Sequence, residues 1–432
     1  MHSTTAVGVQ TPMPAGRLRT LQLLGIFCGF AAGAWLGGAE APIKIVNAGI
    51  SPITISLLMV AGVFLARWSI PAFIHGTSYV RKDVGQAPHL IVWAVLAGCM
   101  WAVANTMTIY AIRDVGLSIA FPLWNTNSLL GIFWGFVLFN ELHHAGWKRW
   151  LGVVGGALAM FGGAALLAFA SSTQAPAGKA IPGVIAALSA GVLWGTMYIP
   201  YRKAYLTGMN PLSFITFFTI GELATMSFVA LSYRGAGPLW RDIVSARTAV
   251  FWLMLGGFVW VIGDLFQQYA AKYVGISRGV PLSNTNQIWG LLWGILVFHE
   301  LRGGEQKVYA QVIGGSILMA LGAVAIALSS ATGREHSSWR AAAEREGKKY
   351  GIEGAYVRAG MEGRSFVEGT SRRTLTDWVL VCGVTAIFVA LAAMARLPRI
   401  DIDLGWAAAV SVAMLLLLAG CGIALWRTTR FS

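Results

Sequence analysis

The chain has 432 residues, 56% hydrophobic and only 12% charged, with a mean hydropathy of +0.65. Soluble domains carry roughly 25% charged residues, so a water-soluble globular enzyme is excluded, and the length allows ten or more spans of about 20 apolar residues. The net charge of +14 therefore reads first as membrane topology, with no nucleic-acid partner implied.

In chain order, apolar runs between charges and turn residues predict twelve helices: 21–41, 51–74, 90–111, 116–139, 148–170, 181–203, 211–232, 249–272, 276–298, 307–330, 377–396 and 405–426. They divide the chain into an N-terminal tail (1–20), five helices (21–170), five more (181–330), a polar segment (331–376) and a two-helix extension (377–427). Met1 to Gly16 lacks the charged start and cleavage site of a removable signal. With both termini cytoplasmic, 22 of the 32 Lys/Arg residues fall on the inside, Arg67 among them, so the basic residues favour that orientation. The Ala/Gly/Arg-rich usage suits a bacterial inner membrane.

A repeat at a constant offset of 159 residues organises the chain. Gly116-Leu-Ser-Ile-Ala-Phe-Pro-Leu-Trp-Asn-Thr-Asn127 returns as Gly275-Ile-Ser-Arg-Gly-Val-Pro-Leu-Ser-Asn-Thr-Asn286. Gly131, Trp134-Gly135 and Glu141-Leu142 return as Gly290, Trp293-Gly294 and Glu300-Leu301, and Trp101 and Asn105 as Trp260 and Asp264. Five helices per copy make the second copy enter the membrane from the opposite side. The expected fold is an all-α polytopic membrane protein: a ten-helix inverted-repeat (5+5) bundle plus two C-terminal transmembrane helices. Inverted repeats are common in secondary transporters, with the substrate site near the midplane.

The motif carries the site expectation. Pro122 and Pro281 each remove a backbone donor early in the fourth and ninth helices, tolerable in lipid only where protein or a watery cavity supplies partners. Asn125, Asn127, Asn284 and Asn286 offer amides. Asn127, Gly131 and Trp134 share one helical face, as do Asn286, Gly290 and Trp293. Such a face suits a sugar, with amides for its hydroxyls and the indole rings for its C–H faces. The blander alternative is helix packing through glycine notches and interhelical asparagine bonds.

Carboxyl groups inside predicted spans form the second signal: Glu40, Glu222 and Asp264, with neutral Asn105 at the repeat position of Asp264. Such groups are costly in lipid and by default functional, so they are candidates for proton coupling. The alternative is permanent ion pairs, Glu40 with Lys44 and Asp264 with Lys272. Glu141 and Glu300 end the motif helices as capping or gating residues, Glu300 beside Arg302. Trp147 and Trp150 are expected as interfacial anchors. The sequence shows no Walker loop, nucleophile elbow or metal spacing, so no enzyme chemistry, metal or cofactor is expected. The cysteines, Cys28, Cys99, Cys382 and Cys421, read as small buried apolar residues, and His143-His144 as a solvated pair.

On these residues, the stretch from about 21 to 330 resembles the drug/metabolite transporter superfamily. Phe121-Pro-Leu-Trp-Asn-Thr-Asn127-Ser-Leu-Leu-Gly131, with Phe133-Trp-Gly135 and Glu141-Leu142, is similar to the glucose/ribose porter family of sugar uptake proteins and, more distantly, to rhamnose–proton symporters. The resemblance implies proton-coupled uptake of a monosaccharide by alternating access, with Asn125, Asn127, Asn284 and Asn286 at the motif positions; the partners are then the sugar, protons and the bilayer. Two departures stand out. Gly38-Ala-Glu40-Ala-Pro42-Ile-Lys44 puts an acid where the family pattern has none, and 331–432 has no counterpart in a ten-helix member. An exporter of the same fold and a non-transporting membrane sensor or scaffold are the rival expectations, and a homodimer is left open.

Overall fold

In the computed structural model, the described residues are 14–39, 41–42, 50–78, 80, 84–85, 88–115, 120, 123–143, 145–170, 180–299, 306–329, 331–363, 373–396 and 402–431. They are helical, and ten of the helices are long and apolar enough to cross a membrane. The protein is an all-α, multi-pass membrane protein.

The first repeat contains α1 (Ala15–Gly38), α2 (Pro52–Ile74), α3 (Pro88–Val115), α4 (Asn127–Phe139) and α5 (Trp147–Ala170). The second contains α6 (Ala180–Leu206), α7 (Pro211–Arg234), α8 (Val250–Val274), the short α9 (Ile276–Ser283) and α10 (Asn286–Leu292), and α11 (Gln306–Leu328). An amphipathic surface helix, Ala236–Ser245, follows α7. Then come α12 (Gly333–Lys349), α13 (Gly354–Met361), α14 (Leu375–Met394) and α15 (Leu404–Thr429). Pro52 and Pro211 stand at the first positions of α2 and α7, where a missing N–H costs no helical bond.

The expectation of unbroken helices over 116–139 and 276–298 needs correction. The fourth segment is broken at Asn125-Thr126, between helical Leu123-Trp124 and α4, and the ninth is split at Asn284-Thr285 and ends in a π-helical turn, Trp293–Val297. The cause is written in both copies. The Thr126 hydroxyl donates to the Leu123 carbonyl at 2.8 Å and the Thr285 hydroxyl to the Leu282 carbonyl at 2.9 Å. Local side-chain bonds of this kind compete with the helical ladder, and Pro281 has already removed one donor from it. Asn140 and His299, again 159 apart, both take the left-handed conformation (φ 54°) at the end of their segments.

The helix pairing respects the repeat. α1 packs along α8 and α3 along α6; α8 packs on α2 and α3 on α7; α5 lies against α11. Each pairing maps onto another, or onto itself, when the copies are exchanged. The close approaches obey the same rule: Gly98 sits on the Phe218 carbonyl and Gly257 on the Met59 carbonyl, while Gly221 sits on that of Val95 and Gly62 on that of Met254. A Cβ at any of these four would collide with backbone, so glycine is required for the helices to approach this closely. Repeat partners Trp101 and Trp260 meet edge-on, 4.8 Å between ring centroids.

The C-terminal elements are not loosely appended. α14 packs on α2 and α8, and α15 on α1, where the Trp35 indole donates to the Met414 carbonyl at 3.1 Å. Cys28 and Cys421 touch there as buried free thiols, whereas Cys382 is exposed on α14, contrary to the expectation that every cysteine is buried. α12 and α13 pack on α6 at one end of the bundle, with Trp339, Ala343 and Val357 buried against Tyr201, Tyr205 and Leu206. We call this the capped end. Segment 331–363 reads as polar, yet one stripe of it is apolar and forms part of the core.

Candidate functional site

The motif elements meet at the bundle centre. α9 packs on α4, α4 on α6, and α9 and α10 on α1. Where α9 ends, the Asn284 amide donates to Asn127 Oδ1 at 3.2 Å and bonds the Ser128 hydroxyl. The two copies of the motif are therefore directly hydrogen-bonded. Beside them Gln267 donates to the Ser283 hydroxyl at 2.5 Å and to the Tyr198 hydroxyl at 3.4 Å. Not all polar atoms of the motifs are satisfied: Asn125 Nδ2 and Asn286 Oδ1 are buried without a hydrogen bond. Leaving a buried donor or acceptor unpaired costs about 1–3 kcal/mol, so such a set suits a ligand rich in hydroxyls.

Other expected site residues lie elsewhere. Trp134 packs in the cluster of Tyr198, Tyr201 and Ile276, and Trp293 in that of Trp35 and Met414; the two indoles do not face one another. The Gly131/Gly135 face of α4 rests against Ile276 and Val280 of α9, the packing use of such notches. Asn105 donates to the Ser56 hydroxyl at 2.8 Å, away from the motif. Glu40, Glu300, Pro122, Lys44, Arg302 and His144 lie outside the described residues; His143 stacks on Phe136. Trp147 and Trp150 are exposed.

The second centre is a buried charge cluster between α2, α7 and α8. Arg67 is fully buried, 2.8 Å from Asp264 and 3.6 Å from Glu222, both also fully buried. Its guanidinium lies 4.0 Å from the centre of the Phe218 ring and 5.4 Å from that of Trp260. Asp264 is well satisfied, accepting from Arg67, from Gln268 at 2.7 Å and from Tyr201 at 3.4 Å. Neither carboxyl oxygen of Glu222 has a hydrogen bond. Two expectations are corrected here. The partner of Asp264 is Arg67 and not Lys272, whose ammonium instead lies 5.9 Å from the Tyr273 ring centroid. Arg67, counted among the loop residues for orientation, sits inside α2. It is the sole formal charge in the apolar run 51–74, a signal that marks function by itself in a membrane span.

The third centre lies at the capped end. Glu141 is fully buried and accepts from the backbone N–H groups of Ile276 and Ser277 at 3.2 and 2.9 Å, and from the Ser277 hydroxyl at 2.6 Å. An acid at a helix N-terminus meets both the free donors and the positive end of the dipole. Glu141 thus caps α9, across the repeat interface, and forms an ion pair with Arg202 at 2.8 Å. Arg202 stacks over Trp339 at 4.4 Å, and Arg278 pairs with buried Glu335 at 3.1 Å. Burial and the guanidinium groups of Arg202, Arg278 and Arg340 push the His336 imidazole down to about 3. Among the described residues no cluster of His, Cys, Asp and Glu could hold a metal ion.

A bundle of apolar helices with interrupted motif segments and buried charge clusters defines a polytopic membrane protein with polar centres inside it. Comparison with known proteins carries this further. The family model described as "Sugar transport protein" matches residues 185–347. A protein of Listeria innocua named as a sugar uptake protein is 23% identical over 255 residues, 58% of this chain and 81% of its own length. One from Lactiplantibacillus plantarum, similarly named, is 24% identical over 55% of this chain and 79% of its own. One from Streptococcus pyogenes reaches 42% identity, over 17% of this chain and 26% of its own length. Over these stretches the chain is similar to sugar uptake proteins. The family match runs past residue 330 and ends inside α12, so Glu335 falls within it although the expected counterpart ended at 330.

Proposed function

We propose that this chain is a secondary transporter that takes up a monosaccharide by alternating access between two oppositely oriented five-helix repeats. The observation that carries the reading is the hydrogen bond between Asn284 and Asn127, which puts amides from both copies at one point. Within two residues of it, the unpaired amide atoms of Asn125 and Asn286 supply a donor and an acceptor of the kind sugar hydroxyls need, and the names of the relatives point to the same substrate class. The exchange-symmetric packing supports two halves that can rock about this point.

Coupling is assigned to protons, carried by the Arg67 cluster. One guanidinium and two carboxylates, all buried, would leave one uncompensated negative charge, which is costly in a low-dielectric interior. A proton on one acid makes the set neutral. Asp264 is fully engaged, while Glu222 stands 3.6 Å from Arg67 with no hydrogen bond, so the proton sits on Glu222. One charge crossing 100 mV yields about 2.3 kcal/mol, enough for roughly 50-fold accumulation without ATP. The chain is placed in a bacterial inner membrane, both termini and the capped end cytoplasmic.

Proteoliposomes loaded with the purified protein and given an inward proton gradient test the reading, using labelled hexoses, pentoses and deoxy-sugars. Uptake of at least one sugar that rises with the gradient is expected. Uptake that ignores the gradient defeats the coupling; no uptake of any sugar in the panel, with drug efflux instead, defeats the substrate class.

A further inference from the structure

At the capped end one carboxylate ties three parts of the molecule together. Glu335 belongs to α12. Its oxygens accept from the backbone N–H of Leu142, three residues after α4, at 2.9 Å, and from Arg278 of α9 at 3.1 and 3.2 Å. The same carboxylate closes a capping box with Thr332, which ties its position to the start of α12. Arg278 also donates to the Ser329 carbonyl, at the end of α11, at 2.8 Å. Glu335 is thus a brace between the end of one motif segment and the start of the other.

Further contacts surround the brace. Trp339 is 1% exposed and lies under the Arg202 guanidinium, itself paired with Glu141. Tyr350, at the end of α12, stacks on His89 of α3 at 3.8 Å and 14°. Lys203 of α6 reaches Glu346 at 3.6 Å. Arg340 pairs with Glu362 at 2.6 Å, and Arg17, from α1, donates to the carbonyls of Glu362 and Gly363 at 3.0 and 3.2 Å. The cap thus holds both repeats and covers a small cleft lined by Tyr205, Leu206, Lys272 and Tyr273.

We infer that residues 331–363 are the latch of the gate at this end, closed by Glu335 on Arg278 and Leu142. Separating α4 from α9 here must break one side of the Glu335 brace. Removing one partner of a buried ion pair leaves a charge uncompensated, so the latch releases as a unit and not gradually. Glu335, Arg278 and Trp339 are positioning residues for transport and do not touch the sugar. This inference rests on the transporter reading but adds a segment that reading does not require.

Two experiments test it, both in a variant lacking the four native cysteines. In the first, His89→Cys with Tyr350→Cys is joined by a short flexible bis-thiosulfonate reagent, in proteoliposomes taking up a labelled sugar from the panel above. Uptake is expected to fall more than tenfold on cross-linking and to return on reduction, with the single variants unaffected by reagent. Unchanged uptake in the cross-linked protein overturns the latch while leaving the sugar reading intact. The second needs no sugar. Leu206→Cys is labelled with a membrane-impermeant maleimide with and without Glu335→Gln, the protein being checked as monodisperse. Labelling at least tenfold faster in the Glu335→Gln protein supports the latch even if every sugar in the panel fails. An equal rate overturns it.

Discussion

Arg67 and Asp264 stand 197 positions apart in the chain and 2.8 Å apart in the fold, with neither side chain exposed. Among the described residues Arg67 is the only cation paired with Asp264 and Glu222, so it is the member the cluster can least lose. Arg67→Met should cost about 3–5 kcal/mol, the scale for breaking a buried pair. Glu222→Gln leaves the Arg67–Asp264 pair neutral and should melt close to the parent. Thermal melts of the purified proteins in detergent check this; equal losses from both variants would contradict the division of roles.

The same division predicts coupling. Glu222→Gln should retain sugar exchange across equal concentrations while losing its acceleration by a proton gradient. Asp264→Asn should also uncouple, for a different reason: Glu222 then becomes the sole counter-ion of Arg67 and is held ionised. Counterflow and gradient-driven uptake, measured side by side, separate the effects, and a gradient response surviving in Glu222→Gln would refute the seat of the proton.

At the motif, Asn284→Ala removes donors to Asn127 and Ser128. If these amides serve a sugar, the loss of a buried hydrogen bond, about 1–3 kcal/mol, raises KM roughly five- to hundred-fold. The melting temperature would fall by the same change if the bond served packing alone. Uptake kinetics and melts on one preparation distinguish the two, because only the first outcome moves KM with stability kept.

His336 predicts a pH response of the cap. The imidazole is buried among Arg202, Arg278 and Arg340, near Glu335, and is pushed down from 6.5 to about 3. In the closed cap it stays neutral; in a released cap it binds a proton below about 6.5. Acid therefore favours release: stability of the closed cap is full above 6.5 and is lost as pH falls from there toward 3. Labelling of Leu206→Cys, divided at each pH by the rate for a free thiol so that the falling thiolate fraction cancels, should rise between pH 7 and 5, and His336→Gln should flatten that rise.

Much of the bundle was legible because lipid enforces simple rules. Apolar length marks spans, and the 159-residue offset marks two copies. The breaks in the fourth and ninth segments were not read from the sequence: Pro281 stood there, but the Thr126 and Thr285 bonds to carbonyls three residues back appear only in the fold. What was not legible is pairing. Lys272 is close to Asp264 in sequence, and local spacing favours it; Arg67 reaches Asp264 only because α2 packs on α8. Likewise Glu141 caps α9 from across the repeat interface, which no spacing within either copy reveals. The apolar stripe of α12 was concealed by charges on its other faces.

The sequence by itself determined the class of molecule: a membrane-spanning duplication with polar motifs and few intramembrane acids, because hydropathy and repetition are properties of the chain read in order. Only the tertiary structure decided which cation answers which acid, which asparagines meet, and that residues 331–363 close one end of the bundle. Those are long-range contacts, and each depends on helix packing that brings residues more than a hundred positions apart, or from opposite copies, within a few ångströms.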